Sequence, residues 1–337
     1  MMAELYTPPL HQKQNYSHRI TASITKENTM SNSLPPTPHS SSSTNTRQQR
    51  IGILGLGAIG TLMAWHWRQH TVVALQRSDS TTQSSQRQLT LLNGEHTRFT
   101  LPSWQDTELD WLVITTKAAQ TLTALAPWQP QLHRVKRLLL LQNGMGQQQE
   151  VEQWLADQQL DCEVWQGIST EGAFRSSPEH VVYAGSGHTV IGTAHGGPTE
   201  QVLLPPQLQT VSDIQQRQRE KLAINAVINP LTGLLRCRNG ELVSNLHYRQ
   251  QLIELATEVQ SLYRHLGWTL ATNLVDRALQ VAEATGHNKS STLQDILADR
   301  PTELAYICGY LLNLAEPSNW PLPITQRVYR ALQQQRE

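Results

Sequence analysis

The sequence predicts an α/β, Rossmann-type doubly wound domain at the N-terminus, followed by an all-α domain at the C-terminus. Short apolar strand patterns alternate with helical patterns up to about residue 213, which is typical of parallel βαβ units. A glycine-rich turn at residues 55–60 joins the first strand pattern to the first helical pattern. Beyond Asp213 the apolar residues follow a helical period almost throughout.

The composition limits the classes of partner. The chain has 337 residues, which is enough for two domains of ordinary size, and its 27 Lys and Arg residues balance 27 Asp and Glu residues. A nucleic-acid partner requires a basic face, so this balance argues against one, and it gives no support to electrostatic attachment to a membrane. The sequence has no apolar run of about 18 residues, so we expect no transmembrane helix.

The three cysteines, Cys162, Cys237 and Cys308, are odd in number and far apart. Their spacing favours isolated thiols in a reducing compartment over a disulfide framework or a zinc site. The 13 histidines include no HxxxH-like cluster on a helix, and we expect no bound metal. We therefore expect a cytoplasmic protein, and the sequence is equally consistent with a monomer and a homodimer.

Residues 1–48 form a polar segment that we predict to be disordered, because it has too little apolar surface to offset the entropy of ordering it. It lacks the apolar core of a secretory signal, and two acidic residues weaken the alternative of a transit peptide. A dispensable extension, or translation that starts at Met30, is the favoured interpretation. We expect an NADP-binding domain over residues 49–213 and a helical substrate and catalytic domain over residues 214–337, with the active site in the cleft between them.

The individual elements follow from the apolar patterns. Four strands are predicted at residues 50–54, 71–75, 111–115 and 137–141, with a helix at 59–69. Strand material over 181–191, around a Gly-Ser-Gly turn, finishes the first domain, and two prolines at 205–206 indicate the approach to a linker. Helices are predicted at residues 214–229, 249–266, 268–284 and 302–314, and Pro230 is expected to end or kink the first of these.

The glycine-rich turn fits the dinucleotide-binding pattern G-x-G-x-x-G. In that pattern the first glycine permits the tight turn, the second lets the backbone approach a pyrophosphate, and the third lets strand and helix pack closely. The helix N-terminus then meets the charge of the pyrophosphate. The candidate residues are Gly55, Leu56, Gly57, Ala58, Ile59 and Gly60. The alternative is a glycine-rich turn that binds no ligand.

The end of the second strand indicates which dinucleotide is bound. An NAD site usually has an acid there, about 20 residues after the first glycine, to bind the ribose 2′-hydroxyl. This chain has Gln76 and Arg77 instead, and a guanidinium suits a 2′-phosphate. The expected cofactor is therefore NADPH. Two observations work against this interpretation: Arg77 also fits a solvated charge at a strand end, and Asp79 lies nearby.

Three polar residues share one face of the first helix in the second domain. Lys221, Asn225 and Asn229 are spaced i, i+4 and i+8, and the residues between them are apolar. A cation and two amides on such a helix suit a cleft that binds a carboxylate, a ketone and hydroxyls. The alternative is a lysine whose stem lies along an apolar surface, with two asparagines near a helix end.

Together these motifs resemble the ketopantoate reductase family, in the right order and over roughly residues 50–335. Besides the glycine turn, the resemblance rests on residues 115–121 (TTKAAQT), 142–146 (QNGMG), 221–232 (KLAINAVINPLT), 290–295 (SSTLQD) and 301–303 (PTE). It implies reduction of 2-dehydropantoate to (R)-pantoate by NADPH, a step toward pantothenate and coenzyme A. It also implies a small 2-keto acid as the molecular partner.

The resemblance assigns roles to single residues. It implies that Lys221 is the general acid and that Glu303 contacts both this lysine and the substrate. An ammonium beside the ketone would stabilise the charge that hydride transfer builds on oxygen and would donate the proton, and Glu303 would keep it charged. The remaining matches are residues at the nicotinamide, at the cofactor side of the cleft and at the substrate: Asn143, Lys117, Asn225, Asn229 and Ser291.

Each role has a structural alternative. Glu303 also suits the first turn of a helix, where a carboxylate complements the dipole. Ser291 and Gln294 fit a capping box, while Asn143 suits a turn and Lys117 a solvated strand end. Two rival functions remain at this point: an NADP-linked reductase of another small keto or hydroxy acid, and a non-catalytic NADPH-binding sensor. The proton donor at Lys221 speaks against the sensor.

We predict that Arg77→Ala raises the KM for NADPH with little effect on the KM for NADH, because only NADPH carries the 2′-phosphate. Steady-state kinetics with each cofactor at saturating keto acid would measure this. Equal losses with both cofactors would remove Arg77 from the phosphate site.

Overall fold

The computed structural model describes residues 48–76, 84–194 and 205–335. Arg77 and nearly all of the predicted tail lie outside these ranges. Within them the strands are β1 Arg50–Leu54, β2 Thr71–Leu75, β3 Ser84–Thr90, β4 His96–Pro102, β5 Trp111–Ile114, β6 Arg137–Leu140, β7 Glu163–Ser169, β8 Gly172–Arg175, β9 His180–Gly185, β10 Thr189–Thr193 and β11 Leu208–Thr210.

The helices within the same ranges are α1 Ala58–His66, α2 Thr121–Leu125, α3 Gln147–Asp157, α4 Ile214–Leu235, α5 Glu241–Ser244, α6 Leu246–His265, α7 Leu274–Ala284, α8 Ser291–Leu297, α9 Cys308–Ala315 and α10 Pro323–Gln334. The strands thus precede α4, and everything described after it is helix, turn or loop. The predicted order of an α/β part and an all-α part is confirmed.

A seven-stranded sheet forms the frame of the first part, in the order β11-β10-β7-β6-β5-β1-β2. All neighbours are parallel except β10, which runs antiparallel to β7. The chain passes from β1 to β2 on one side and later returns to β5 on the other side of β1, so the strand order reverses between β1 and β5. Open α/β sheets bind ligands at the carboxyl ends of the strands at such a point.

A second, four-stranded sheet has the order β4-β3-β9-β8, and the sequence prediction missed it. In β3 only Ser85 and Leu89 are buried, so the strand has little of the apolar alternation that reveals a strand in a sequence. The strand material predicted over residues 181–191 divides between β9 of this sheet and β10 of the larger one.

Two helix predictions were wrong at their boundaries. α4 continues past Pro230 to Leu235, because residues 226–233 are all buried and this tertiary packing stabilises the helix across the proline. The helix predicted from residue 268 begins only at Leu274, where the Asn273 side chain accepts hydrogen bonds from the backbone N–H groups of Val275 and Asp276.

The last of the predicted helices also begins later than expected. Residues 304–306 form a 3₁₀ turn, and α9 begins at Cys308, so Glu303 lies before the turn and not in the first turn of a long helix. The helical part packs around α4 and α6, with Tyr263 fully buried and its hydroxyl donating to the Arg219 carbonyl at 2.8 Å. None of the helices in the described ranges is long and apolar enough to cross a membrane.

The cap of α8 lies one residue before the predicted one. Ser290 is the N-cap, and its Oγ accepts from the backbone N–H of Leu293 at 3.1 Å and from the Thr232 hydroxyl at 2.7 Å. The capping box proposed for Ser291 is therefore wrong. Ser291 is the first helical residue, and its hydroxyl is left for another partner.

These two neighbouring serines should differ sharply in their effect on stability. Ser290→Ala removes a helix cap and should lower the free energy of unfolding by about 1 kcal/mol. Ser291→Ala should change it by less than about 0.5 kcal/mol, since this hydroxyl caps nothing. Urea unfolding of both variants would measure the difference, and a larger loss for Ser291→Ala would contradict the assignment of the cap.

Candidate active site

The candidate site lies where four strands of the larger sheet end. Gly55 follows β1, Lys117 comes shortly after β5, Asn143 comes shortly after β6, and Ser169 is the last residue of β7. Because β1, β5, β6 and β7 are parallel neighbours, their carboxyl ends lie along one edge of the sheet. This edge includes the reversal of strand order between β1 and β5.

The three glycines of the turn have different reasons to be glycine. Gly55 has φ +102°, and a Cβ there would lie 2.6 Å from the backbone nitrogen of Thr116. A Cβ on Gly60 would overlap the carbonyl oxygen of Gly55. Gly57 is the exception, because nothing lies within 4 Å of the position of its Cβ. The first and third glycines thus hold the turn, and the second leaves open space in front of the backbone.

The start of α1 is free to meet an anion. Gly57 is the N-cap of this nine-residue helix and makes no side-chain cap hydrogen bond, so the first N–H groups lack a capping side chain. Leu56 and Ile59 pack against the apolar core under the sheet, and Ala58 packs against a second cluster around Leu62. Open space, uncapped N–H groups and a rigidly packed turn fit the pyrophosphate of a dinucleotide.

Lys221 projects from α4 toward the end of β7. Its Nζ donates a hydrogen bond to the carbonyl oxygen of Ser169 at 2.9 Å. Burial lowers the pKa of Lys221 to about 8, and the negative charge of Glu303 opposes that shift. Lys221 and Asn225 line a narrow cleft together with Asn143. Lys221 therefore lines the cleft with a pKa lowered to about 8.

Glu303 lies behind Asn143, one of the residues that line the cleft, and is only 7% exposed. Its Oε2 accepts from Asn143 Nδ2 at 3.0 Å and lies 3.8 Å from Lys117 Nζ, while Oε1 accepts from the backbone N–H of Ala118 at 3.4 Å. The described residues include no ion pair within 4.0 Å between Glu303 and Lys221. The direct contact implied by the resemblance is thus absent, and Glu303 acts on Lys221 through its charge.

Lys117 has a carboxylate partner that the sequence analysis left without a role. Its Nζ lies 2.5 Å from Oδ2 of Asp295, which is buried in α8 and also accepts from Arg300 Nε at 3.2 Å. The ion pair joins the loop after β5 to the helical part of the chain. Asp is a poor residue for a helix interior, and this was the signal in the sequence that could have identified Asp295.

The other predicted substrate residues lie along α4 and α8. Asn229 is buried, and its Nδ2 donates to Ser291 Oγ at 3.4 Å. Asn225 lines the cleft and makes no side-chain hydrogen bond with any other residue in the described ranges. Of the predicted substrate residues on α4 and α8, Lys221 and Asn225 therefore line the cleft, whereas Asn229 and Ser291 contact each other outside its lining.

The cleft also includes residues that the sequence analysis missed. Among the described residues its lining is Gln142, Asn143, Gly144, Gly167, Ile168, Gln218, Lys221, Leu222 and Asn225. Gln218 was identifiable in principle, because it lies one helical turn before Lys221 on the same face. Ser169 was not identifiable, because it acts through its backbone carbonyl, which every residue possesses.

Comparison with known proteins gives a consistent family. Residues 51–196 match the family described as "Ketopantoate reductase PanE/ApbA", and residues 213–336 match its C-terminal counterpart. A 2-dehydropantoate 2-reductase from Yersinia pestis is 32% identical over 304 residues, which is 84% of this chain and 94% of the relative.

Solved structures share the fold. The probable 2-dehydropantoate 2-reductase panE of Bacillus subtilis is 28% identical with a TM-score of 0.70, over 85% of this chain and 99% of that one. A D-mandelate dehydrogenase solved with NADH and anilino(oxo)acetate has a TM-score of 0.71 over 85% of this chain and 98% of that one, but at 18% identity it shows the fold alone. The matches cover nearly all of the described residues, and the chain belongs to the ketopantoate reductase family, whose members are oxidoreductases that use a nicotinamide cofactor.

Proposed function

We propose that this chain reduces 2-dehydropantoate to (R)-pantoate with NADPH as the cofactor. One observation carries the proposal: Lys221, whose pKa burial lowers to about 8, lines the same cleft as Asn143 and Asn225. That cleft lies at the edge of the sheet where the glycine turn offers open backbone for a dinucleotide. A proton donor and a dinucleotide site at one edge are what carbonyl reduction requires.

The chain's part in cofactor binding rests on the backbone around Gly57 and the first N–H groups of α1. Bound NADPH would supply the hydride that adds to the keto carbon of the substrate. Arg77 would pair with the 2′-phosphate, which distinguishes NADPH from NADH.

Lys221 would supply the proton. As hydride adds to the carbonyl carbon, the electron pair of the C=O bond moves to oxygen, and an ammonium beside that oxygen stabilises the charge. Nζ then gives one proton to the oxygen, which yields the secondary alcohol and a neutral amine. Solvent restores the proton for the next turnover. A pKa near 8 suits this task, because an acid works best when its pKa is close to the pH of the reaction.

Glu303 would assist the proton transfer from Lys221 without contacting the lysine directly. Its charge favours the ammonium form of Lys221, against the effect of burial. Its Oε2 accepts from the Asn143 amide and thereby fixes the orientation of that side chain at the cleft. Asn143 would then present its remaining amide atoms to the ligand in a constant direction.

The polar residues of α4 and α8 would hold the substrate. Asn225 lines the cleft and its amide has no hydrogen-bond partner among the described residues, and the hydrogen bond between Asn229 and Ser291 is long at 3.4 Å. Both of its partners can therefore exchange this contact for a stronger one with a carboxylate or hydroxyl. Such groups belong to a small hydroxylated 2-keto acid.

The experiment that tests the function is an assay of NADPH oxidation with 2-dehydropantoate and a panel of other 2-keto acids. The panel should include 3,3-dimethyl-2-oxobutanoate, which differs from 2-dehydropantoate only in lacking the hydroxyl group. The highest kcat/KM should be obtained with 2-dehydropantoate. A higher value with another acid would assign a different substrate, and NADPH binding without turnover of any acid would indicate a sensor.

We predict that Lys221→Ala lowers kcat by about 10²- to 10⁴-fold, the range of general acid catalysis, while NADPH affinity stays near normal. In the wild type the ammonium is the reactive form, so kcat/KM should fall as the pH rises through about 8. Lys136→Ala is the matched control, because Lys136 is 49% exposed and pairs with Asp110 outside the cleft. A raised KM with unchanged kcat in Lys221→Ala would show that the lysine only binds substrate.

A further inference from the structure

The hydrogen-bond acceptor of Lys221 belongs to a turn with its own supporting contacts. Residues 169–172 join β7 to β8, and the Ser169 carbonyl in this turn accepts from Lys221 Nζ. The Ser169 hydroxyl oxygen accepts from the Thr189 hydroxyl at 3.1 Å and from the backbone N–H of Glu171 at 3.2 Å. The position of the Lys221 ammonium therefore depends on how firmly this turn is held.

The buried carboxylate of Glu171 also fixes this turn. The Glu171 side chain is 3% exposed, and its Oε2 accepts from the Tyr183 hydroxyl at 2.6 Å and from the backbone N–H of Gly187 at 3.0 Å. Glu171 is not among the residues that line the cleft, and it forms no ion pair with a lysine or arginine of the described chain. A buried acid with this set of partners has a structural reason to be there and no access to substrate.

The backbone on the other side of Glu171 fits the turn closely. A Cβ on Gly187 would lie 2.6 Å from the backbone nitrogen of Glu171 and closer still to the carbonyl carbon of Thr170. The Thr170 N–H donates to the His188 carbonyl at 3.0 Å, and the His188 N–H donates to Thr170 Oγ1 at 3.0 Å. Glu171 thus fastens the turn to the segment between β9 and β10.

The titratable groups around Glu171 indicate that it acts on Lys221 by fixing the turn and not through its charge. His66, the last residue of α1, has Nε2 at 3.9 Å from Glu171 Oε1, and burial lowers its pKa, so it is neutral near pH 7. Tyr183 packs edge-on against His66, and burial raises the pKa of its phenol. The carboxylate whose charge acts on Lys221 is that of Glu303.

We propose that Glu171 is a positioning residue for Lys221, which it serves by fixing the turn whose Ser169 carbonyl holds the ammonium. The inference rests on the proposed function and adds a residue to it that neither touches the substrate nor lines the cleft. Without the carboxylate, Tyr183 and Gly187 lose their acceptor, and the turn is held less firmly, by the contacts of Thr170 with His188 and of Ser169 with Thr189. The carbonyl would then leave Nζ, and a displacement of about 1 Å from the reacting atoms costs on the order of 100-fold in rate.

The test compares Glu171→Ala with Glu171→Gln. Glu171→Ala should lower kcat by about 10- to 100-fold with NADPH affinity unchanged. It should also move the basic limb of the kcat/KM profile to lower pH, because the ammonium loses the carbonyl that favours its charged form. Glu171→Gln keeps an oxygen that accepts from Tyr183 and Gly187, so its kcat and the pH of its basic limb should both be close to those of the wild type.

Two further variants complete the experiment. Tyr183→Phe removes one of the two hydrogen bonds to the Glu171 side chain, so its effects on kcat and on the basic limb should be smaller and in the same direction. This variant replaces Glu171→Ala as the test if Glu171→Ala does not fold. Glu179→Ala is the control, since Glu179 is an exposed acid in the turn between β8 and β9. Circular dichroism and NADPH fluorescence would establish that each variant is folded.

Two results would overturn this inference and leave the proposed function intact. The first is a wild-type kcat together with a basic limb at its wild-type pH in folded Glu171→Ala. If Glu171→Ala does not fold, the same result in Tyr183→Phe has the same meaning. The other is a lower kcat with an unmoved limb in each folded variant, which would mean a structural role only. If the wild-type chain does not reduce 2-dehydropantoate at all, the proposed function fails, and the inference fails with it, so the wild-type assay distinguishes the two failures.

Discussion

The hydrogen bond between the Lys221 ammonium and the Ser169 carbonyl is the contact on which the candidate site depends. It brings α4 of the helical part against the carboxyl edge of the sheet. Burying an ammonium is costly unless polar groups surround it, and here the nearest partner is a neutral carbonyl. The cation is therefore held with a depressed pKa of about 8, which leaves the proton available at little cost. A carboxylate in the place of that carbonyl would have held the proton more tightly.

The second lysine of the site shows the contrast. Lys117 lies against the buried carboxylate of Asp295 at 2.5 Å and within 3.8 Å of Glu303. These carboxylates balance its charge, and the Lys117–Asp295 ion pair joins the two parts of the chain. Lys117 therefore suits a structural link between the two parts, whereas Lys221 suits proton transfer. The difference lies in their partners, since both side chains have the same chemistry.

The sequence could predict what is local or periodic. The glycine turn, the apolar strands and the polar face of α4 all follow from spacing, and they define the fold class and one wall of the cleft. The four-stranded sheet could not be predicted from β3, whose residues are mostly polar. The roles of Ser169 and Asp295 depend on long-range pairing, and no local pattern records which backbone carbonyl or carboxylate a lysine will reach. The cap of α8 was misassigned to Ser291 because Ser290 and Ser291 are adjacent and chemically identical.

In the proposed mechanism, an ammonium at Lys221, sustained by the charge of Glu303, protonates the substrate. The most direct test is the pH dependence of kcat/KM for Glu303→Gln beside the wild type. Glutamine keeps an oxygen that accepts from the Asn143 amide but removes the negative charge that favours the ammonium. We expect the basic limb to move below its wild-type position near pH 8. A basic limb that stays in place would show that the charge of Glu303 does not sustain the proton on Lys221, and the proposed mechanism would be wrong.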